Sequence, residues 1–160
     1  MAFELPSAVY SPELLDSVSY ELEQYLAWYQ QARVQHRSGV APAAEPSYSA
    51  ETAQTIEAWL AASGKKPTIE TIEALLAHLR GLKLPTAHIM LATLPNHAQR
   101  AQLVDWFRRL AGRPLLVAFV ADRNLGGGIV VRTPNRIFDY SWRQRLTEGR
   151  SKLAEIVNRA

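Results

Sequence analysis

The sequence has 160 residues, a length that suits one domain or two small ones. Hydrophobic residues make up 48% of it and charged residues 21%, which is typical of a globular protein with a buried core. The absence of cysteine excludes disulfides, thiolate zinc sites and cysteine nucleophiles, and a net charge of +3 is too small to indicate nucleic-acid binding by itself.

Residues 1–6 lack the basic region and apolar core of a secretory signal. No apolar run approaches the roughly 20 residues that a membrane-spanning helix needs. We therefore expect a soluble, cytoplasmic chain that reaches a membrane only by binding something already there.

The first helix is predicted to start at Ser11-Pro12-Glu13, where a capping hydroxyl, a proline and an acid follow one another. It should run to about Arg37, with Gly39 as its stop. Apolar residues recur along it at steps of three and four, which predicts a core face, with a groove for a partner helix as the alternative. This seam consists of Leu15, Val18, Leu22, Tyr25, Tyr29 and Ala32.

Two shorter helices are predicted next. Residues 40–47 contain two prolines and indicate a loop. The second helix begins near Ser49 and stops at Gly64, and the third begins at Thr68 and ends at Gly81. Residues 1–83 are therefore predicted to form an all-helical domain.

The pattern changes after residue 84. Short apolar runs bounded by prolines and glycines predict strands, and one amphipathic helix of residues 96–111 separates the first two. Its residues Leu103, Phe107 and Leu110 should face inward, and its arginines outward. The predicted strands cover residues 86–92, 114–121, 129–131 and 136–138.

Ser141 can cap a last helix whose apolar stripe is predicted to face inward; the stripe consists of Trp142, Leu146, Leu153 and Ile156. The second half is thus a small α/β unit. The predicted fold class is α+β: an abbreviated N-terminal all-α bundle, residues 1–83, followed by a C-terminal α/β domain, residues 84–160.

No catalytic, cofactor or metal site is predicted. Residues 126–128 are all glycine, but they lead into a strand and not into a helix N-terminus. A bulge, or the close approach of a neighbouring backbone, is the preferred interpretation over a phosphate loop. The four histidines lack the spacing of metal ligands and are interpreted as packed or surface residues; they are His36, His78, His88 and His97.

An alternative function, a small basic nucleic-acid-binding module, is suggested by basic residues interleaved with Tyr140 and Trp142. Those basic residues are Arg143, Arg145, Arg150, Lys152 and Arg159. Against it, positions 142 and 146 are spaced to face inward, and Glu148 and Glu155 dilute the charge.

One stretch resembles a known family. From Gly127 the chain reads GGIVVRTPNRIFDYSWRQRL, which is similar to the C-terminal signature of the ATP synthase delta subunit family, called the oligomycin-sensitivity-conferring protein in mitochondria. The similarity covers about residues 75–160. The residues in register are Gly127, Gly128, Ile129, Val130, Val131, Asp139, Ser141, Arg143, Arg145 and Leu146.

The chain departs from that pattern at three positions of the signature and in its first half, and one of the three is Pro134 in the turn. Tyr140 stands where the family usually has glycine, and Trp142 replaces a smaller aliphatic residue. A tyrosine at a tight junction implies a different backbone there, because glycine tolerates positive φ and tyrosine scarcely does. The family's N-terminal domain is usually a six-helix bundle, whereas three helices are predicted here.

The resemblance implies a non-catalytic delta subunit of an F-type, proton-translocating ATP synthase. Such a subunit is a peripheral-stalk, or stator, connector between the catalytic alpha/beta head and the b subunit. It implies one copy per complex and no cofactor, small-molecule substrate or nucleic acid. It also implies a peripheral location at the cytoplasmic face of the plasma membrane, through the complex. A standalone adaptor with the same fold is a further alternative.

Two contact sites follow as hypotheses. The helical domain would bind the N-terminal helices of the alpha subunits, with Tyr25, Trp28 and Tyr29 as candidates because aromatic anchors often dominate interfaces. The C-terminal domain would bind the b subunit through the stripe of the last helix, with Leu146, Leu153 and Ile156 as candidates.

Overall fold

The computed structural model describes residues 3–149. The chain divides into two compact units between Leu84 and Pro85. The first unit is helical and the second combines a sheet with helices, so the predicted α+β class is confirmed.

Three helices make up the first unit, each begun by a side-chain hydroxyl. Ser11, Ser49 and Thr68 each accept a hydrogen bond from the backbone N–H three residues further on, which satisfies one of the unpaired donors of a helix start. The predicted helix starts are therefore confirmed. The helices are α1 (Pro12–Arg37), α2 (Ala50–Ser63) and α3 (Ile69–Gly81).

The core of the first unit lies where α1 packs against α2 and α3. The first half of the predicted seam is buried there through Val18 and Leu22, together with Leu75 and Leu79 of α3. Further along α1 the seam is half-buried, and Val34 near its end is 64% exposed. The 26 residues of α1 span about 39 Å, roughly twice the length of either partner helix.

Two polar contacts join α1 to its neighbours. The Glu21 carboxylate accepts from the Ser49 N–H at 2.8 Å and from the Ser49 hydroxyl at 2.9 Å, so it holds the start of α2. Burial alone would raise the pKa of Glu21, but the hydrogen bonds from Ser49 and Thr52 lower it below its usual value. Arg80 of α3 pairs with Glu23, and because both side chains are well exposed this ion pair contributes little stability.

The second unit is a mixed four-stranded sheet in the order β2-β1-β3-β4. Strands β1 and β2 are parallel and are joined through α4, whereas β3 pairs antiparallel with both β1 and β4. The elements are β1 (Thr86–Leu91), α4 (His97–Ala111), β2 (Leu116–Ala121), a 3-10 turn (Arg123–Leu125), β3 (Ile129–Arg132) and β4 (Ile137–Asp139). Residues 142–149 are helical and are called α5.

One face of this sheet is covered by α4. The register places Phe119, Ile89 and Val131 in one row across three strands, and the Arg100 guanidinium of α4 lies 5.9 Å above the Phe119 ring. Ile89 of β1 and Val104 of α4 are both fully buried. The row on the opposite face contains the exposed residues His88, Arg132 and Ile137.

Three apolar residues predicted to face inward are exposed instead. Leu110 is 69% exposed, Trp142 61% and Leu146 68%. Leu110 lies in the last turn of α4, and α5 begins at the end of the edge strand β4, all of whose residues are exposed. A helical period shows that a face is apolar, but it does not show that the fold supplies a layer to cover that face.

Two arginines predicted to face solvent are half-buried. Arg100 donates from Nε to the Pro95 carbonyl oxygen at 2.8 Å, and Arg108 donates from Nε to the Leu115 carbonyl oxygen at 3.2 Å. Their long aliphatic stems permit burial while the guanidinium satisfies backbone acceptors at both ends of α4.

Candidate functional site

The glycines before β3 allow two backbone segments to touch. A side chain on Gly128 would collide with the Tyr140 carbonyl oxygen and would lie 2.9 Å from the Cα atom of Ser141. Gly127 and Gly128 also have φ values of 146° and 82°, which side chains rarely adopt. The close backbone approach predicted from the sequence is confirmed.

Asp139 and Ser141 shape the connection between β4 and α5. The Ser141 N–H donates to Asp139 Oδ1 at 2.8 Å, and the Gln144 N–H donates to the Ser141 hydroxyl at 3.2 Å, so Ser141 caps α5 as predicted. Hydrogen bonds from Ser141, with a smaller contribution from the charge of Arg143, lower the pKa of the Asp139 carboxyl.

Backbone hydrogen bonds tie this connection to the start of β3. The Tyr140 N–H donates to the Ile129 carbonyl oxygen at 2.9 Å, and the Trp142 N–H donates to the Gly127 carbonyl oxygen at 3.1 Å. The Trp142 indole lies flat against Gly127, where an added Cβ would be 3.4 Å from the ring. The signature residues therefore build one strand-to-helix junction.

Five signature residues meet at this junction: Gly127, Gly128, Ile129, Asp139 and Ser141. Arg143 lies close enough to influence the Asp139 carboxylate. Leu146, a turn further along α5, is not brought to these residues and faces outward.

Tyr140 is accommodated without backbone strain. Within residues 3–149, every residue with positive φ is a glycine, so the left-handed conformations of the junction fall on Gly127 and Gly128 and not on position 140.

The segment from β4 into α5 carries four large apolar side chains that are between 39% and 68% exposed. We call them the junction patch; they are Phe138, Tyr140, Trp142 and Leu146. Ile137 is also exposed, but it points to the opposite face of the sheet from Phe138. Sequence reasoning missed the patch because it assigned Trp142 and Leu146 to the core. The available signal was that Tyr140 and Trp142 are larger than the residues they replace in the signature.

The three aromatic residues proposed for head contact lie on the second half of α1 and are half-buried. The Tyr25 ring lies 5.6 Å from that of Trp28 and 5.1 Å from that of Tyr48, and Trp28 Nε1 donates to the Ala43 carbonyl oxygen at 2.9 Å. Burial raises the pKa of the Tyr25 hydroxyl. The loop before α2 is thus packed onto α1 by these rings.

Trp28 and Tyr29 also line an open groove of about 370 Å³, which we call the α1 groove. Its other lining residues are Ala32, Arg33, His36, Arg37 and Pro42. Tyr25 is not among them. The structure therefore brings two of the three candidates to one accessible surface and places the third against the loop.

Of the stalk-contact candidates, Leu146 is exposed in α5. Leu153 and Ile156 lie outside the described residues.

The described part of the chain, residues 3–149, holds no group of three or more His, Asp or Glu side chains placed to bind a metal ion. In the same range, no helix combines the length and hydropathy that crossing a bilayer requires.

His78 is one of the histidines interpreted as packed or surface residues. The centroid of its ring lies 5.4 Å from that of Phe3 and 5.1 Å from that of Trp59, so the imidazole packs against two aromatic rings.

A family model described as ATP synthase delta (OSCP) subunit matches residues 66–153, more than half of the chain. The chain belongs to this family. The match begins just before α3 and includes the four strands of residues 3–149 and the whole described junction, so the predicted family membership is confirmed. Helices α1 and α2 of this delta-family protein precede the matched region.

No curated protein sequence matches the chain significantly. Among solved structures, a chain from the cryo-EM structure of the Polytomella F-ATP synthase is similar over 49% of this chain and 100% of its own length. The two are 21% identical and superpose with a TM-score of 0.41, which is too low to support an argument.

Proposed function

We propose that this delta-family protein is a non-catalytic connector of the peripheral stalk in an F-type ATP synthase. It joins the catalytic alpha/beta head to the b subunit and keeps the head from turning with the rotor. The observation that carries the proposal is the family match over residues 66–153, which contains the complete strand-to-helix junction.

The distribution of apolar surface supports a connector. The first unit presents the α1 groove, and the second presents the junction patch. A connector needs one binding surface for each partner, and surfaces on separately folded units supply them.

The head contact is assigned to the α1 groove. Trp28 and Tyr29 offer flat apolar area with few rotatable bonds, and a groove along a helix suits the apolar face of a partner helix, here an N-terminal helix of an alpha subunit. Tyr25 supports them by packing against Trp28.

The stalk contact is assigned to the second unit, with Leu146, Leu153 and Ile156 as contact residues toward the b subunit. The exposure of Leu146 leaves its side chain available to a partner. Each complex contains one copy of the chain. The complex holds this copy peripherally at the cytoplasmic face of the plasma membrane.

The test is purification of the native complex through a tag on this chain. Recovery of alpha, beta and b-type subunits with close to one copy of this chain per complex is the expected result. Recovery of the chain without synthase subunits would overturn the proposal.

One observation favours the second candidate, a small nucleic-acid-binding module. The inward placement of Trp142 argued against it, and Trp142 is exposed, as are Tyr140, Arg143 and Arg145. Binding to single-stranded RNA measured at two salt concentrations tests it, since phosphate contacts give a steep dependence of affinity on salt. Weak binding without that dependence excludes it.

A further inference from the structure

The loop that follows α1 forms one side of the α1 groove. Residues 40–48, which we call the groove loop, are neither helix nor strand, and Pro42 lines the groove together with Trp28 and Tyr29. The other described lining residues all belong to α1. The shape of the groove therefore depends on where this loop lies against the helix.

Two side chains of α1 make contacts that hold the groove loop. The Trp28 indole N–H donates to the Ala43 carbonyl oxygen at 2.9 Å, and the ring of Tyr25 lies 5.1 Å from that of Tyr48. An indole N–H can only donate, so it suits a carbonyl oxygen that no helix or strand uses. Trp28 thus serves the groove twice, because its side chain lines the groove and its N–H fixes the loop.

The sequence of the groove loop favours an extended backbone. Pro42 and Pro46 fix φ at about −65°, and each disfavours the helical region at the residue before it, which is Ala41 or Glu45. Extended proline-containing segments typically bind to aromatic surfaces. The loop therefore loses little conformational freedom when it docks on the aromatic side of α1.

Few contacts hold the loop in this position. Seven residues of the groove loop are exposed, and only Pro46 and Tyr48 are half-buried. The hydrogen bond from Trp28 to Ala43 is itself exposed. Segments with little buried surface open at a small cost in free energy, so the contacts of Trp28 and Tyr48 determine how often the loop lies against α1.

We propose that the groove loop is a movable wall of the α1 groove and that Trp28 is the positioning residue that holds this wall in place. A partner helix touches α1 and Pro42 together only while the loop is docked, so the docked state binds it more tightly. The apparent affinity then falls with the fraction of chains in which the loop is docked. The inference rests on the proposed function in one respect, since the partner is taken to be the alpha/beta head.

Replacing Trp28 by β-(3-benzothienyl)alanine tests the proposal in the full chain. Sulfur in place of the indole N–H keeps the shape of the ring and removes the donor. The affinity for the purified alpha/beta head should fall about three- to tenfold, which is the effect of one hydrogen bond. The same replacement at Trp106, an exposed tryptophan of α4, is the matched control and should leave the affinity unchanged.

Spin labels report on the loop itself. The chain contains no cysteine, so nitroxide labels attach only at Gln31→Cys on α1 and Ala44→Cys in the groove loop, both exposed positions. Electron–electron resonance should give a narrow distribution of label distances with the native Trp28. The distribution should broaden with the benzothienyl replacement at position 28 and should stay narrow with the replacement at Trp106.

A variant of the loop tests the wall from the other side. Pro42→Gly removes the ring that lines the groove and frees the loop backbone, so it should also weaken head binding about three- to tenfold. Pro67→Gly is the matched control, because Pro67 is an exposed residue between α2 and α3 and does not line the groove. Equal effects of the two variants would contradict the proposal.

The outcomes separate this inference from the proposed function. A looser loop with unchanged head affinity would show that the loop is not part of the binding surface, and a higher affinity would show that it covers that surface. An unchanged distance distribution would show that Trp28 does not hold the loop. Each of these results overturns the inference and leaves the connector role standing. If the wild-type chain does not bind the head, the proposed head contact fails and the inference fails with it.

Discussion

The carbonyl oxygen of Tyr140 occupies the space in which a side chain on Gly128 would begin. This contact between two backbones closes the strand-to-helix junction, because it lets the start of β3 lie directly under the connection from β4 to α5. The arrangement needs a residue without Cβ at position 128, and the positive φ there imposes the same requirement. The glycines of the family signature thus have a structural cause.

Replacing Gly128 by alanine should destabilise the second unit strongly. The positive φ costs an alanine about 1–2 kcal/mol, and displacing the Tyr140 backbone adds to it, so we expect a total loss of about 2–4 kcal/mol. Urea unfolding of the full chain, followed by a probe in the second unit, measures the loss.

Gly126→Ala is the matched control for Gly128→Ala. Gly126 also has a positive φ, 65°, but an added Cβ meets nothing within 4 Å. Gly126→Ala should therefore lower the free energy of unfolding only by the cost of the positive φ, about 1–2 kcal/mol. Equal losses of stability in the two variants would show that the close contact between Gly128 and the Tyr140 backbone adds nothing to the cost of the substitution.

Local features of the fold were predictable because short-range chemistry determines them. Ser11, Ser49, Thr68 and Ser141 cap the helices that they were predicted to cap, since a cap depends on residues within one turn. The strands were predicted to within a few residues at each end for a similar reason: apolar runs between turn residues have few alternatives.

What packs against what could not be read from the same patterns. The seam of α1 is core at Val18 and Leu22, yet its members Tyr29 and Ala32 further along line an open groove. Nothing in the periodicity distinguishes these two stretches, because coverage depends on the lengths of partner helices that are distant in sequence. Trp142 was assigned to the core for the same reason.

Neutralising Glu21 should destabilise the first unit in a pH-dependent way. The folded state lowers the pKa of this carboxyl, so its contribution is present above the unfolded pKa, 4.5, and is lost as the pH falls through the folded value. Glu21→Gln should therefore cost about 1–2 kcal/mol at pH 7 and less at pH 3. Denaturant unfolding at the two pH values tests this.

Glu23→Gln provides the control for Glu21→Gln. Glu23 also lies on α1 and pairs with Arg80, but both groups are well exposed. Its removal should change the free energy of unfolding by less than about 1 kcal/mol. A pH-independent cost at Glu21 would mean that the side chain acts through packing and not through its charge.

The aromatic residues of α1 should separate into structural and contact residues. Tyr25 packs against Trp28 and Tyr48, so Tyr25→Ala should lower stability by about 1–3 kcal/mol. Tyr29→Ala should cost less than about 1 kcal/mol and should weaken binding to the alpha/beta head, since Tyr29 lines the α1 groove. Unfolding and head-binding assays on both variants give the comparison, and unchanged head affinity in Tyr29→Ala would refute its contact role.

The cap of α5 should depend on Asp139 and Ser141 together. Ser141→Ala removes the acceptor for the Gln144 N–H and should cost about 1 kcal/mol. Asp139→Asn keeps an acceptor for the Ser141 N–H but removes its charge. Because folding lowers the pKa of Asp139, the stability difference between Asp139→Asn and the wild type should be present at pH 7 and should vanish as the pH falls below 3.8 through the folded value.

A double-mutant cycle decides whether Asp139 and Ser141 act as one unit. Ser141→Ala keeps the backbone N–H that donates to Asp139, so the cycle reports on the hydrogen bond from the Ser141 side chain, which lowers the pKa of Asp139. This side-chain interaction predicts that the double variant loses less stability than the two single losses added together at pH 7, and that the non-additivity shrinks as the Asp139 carboxylate is protonated. Additive losses at both pH values would mean that Asp139 does not support the cap. The orientation of Trp142, the first residue of α5, would then rest on its own contacts with Gly127.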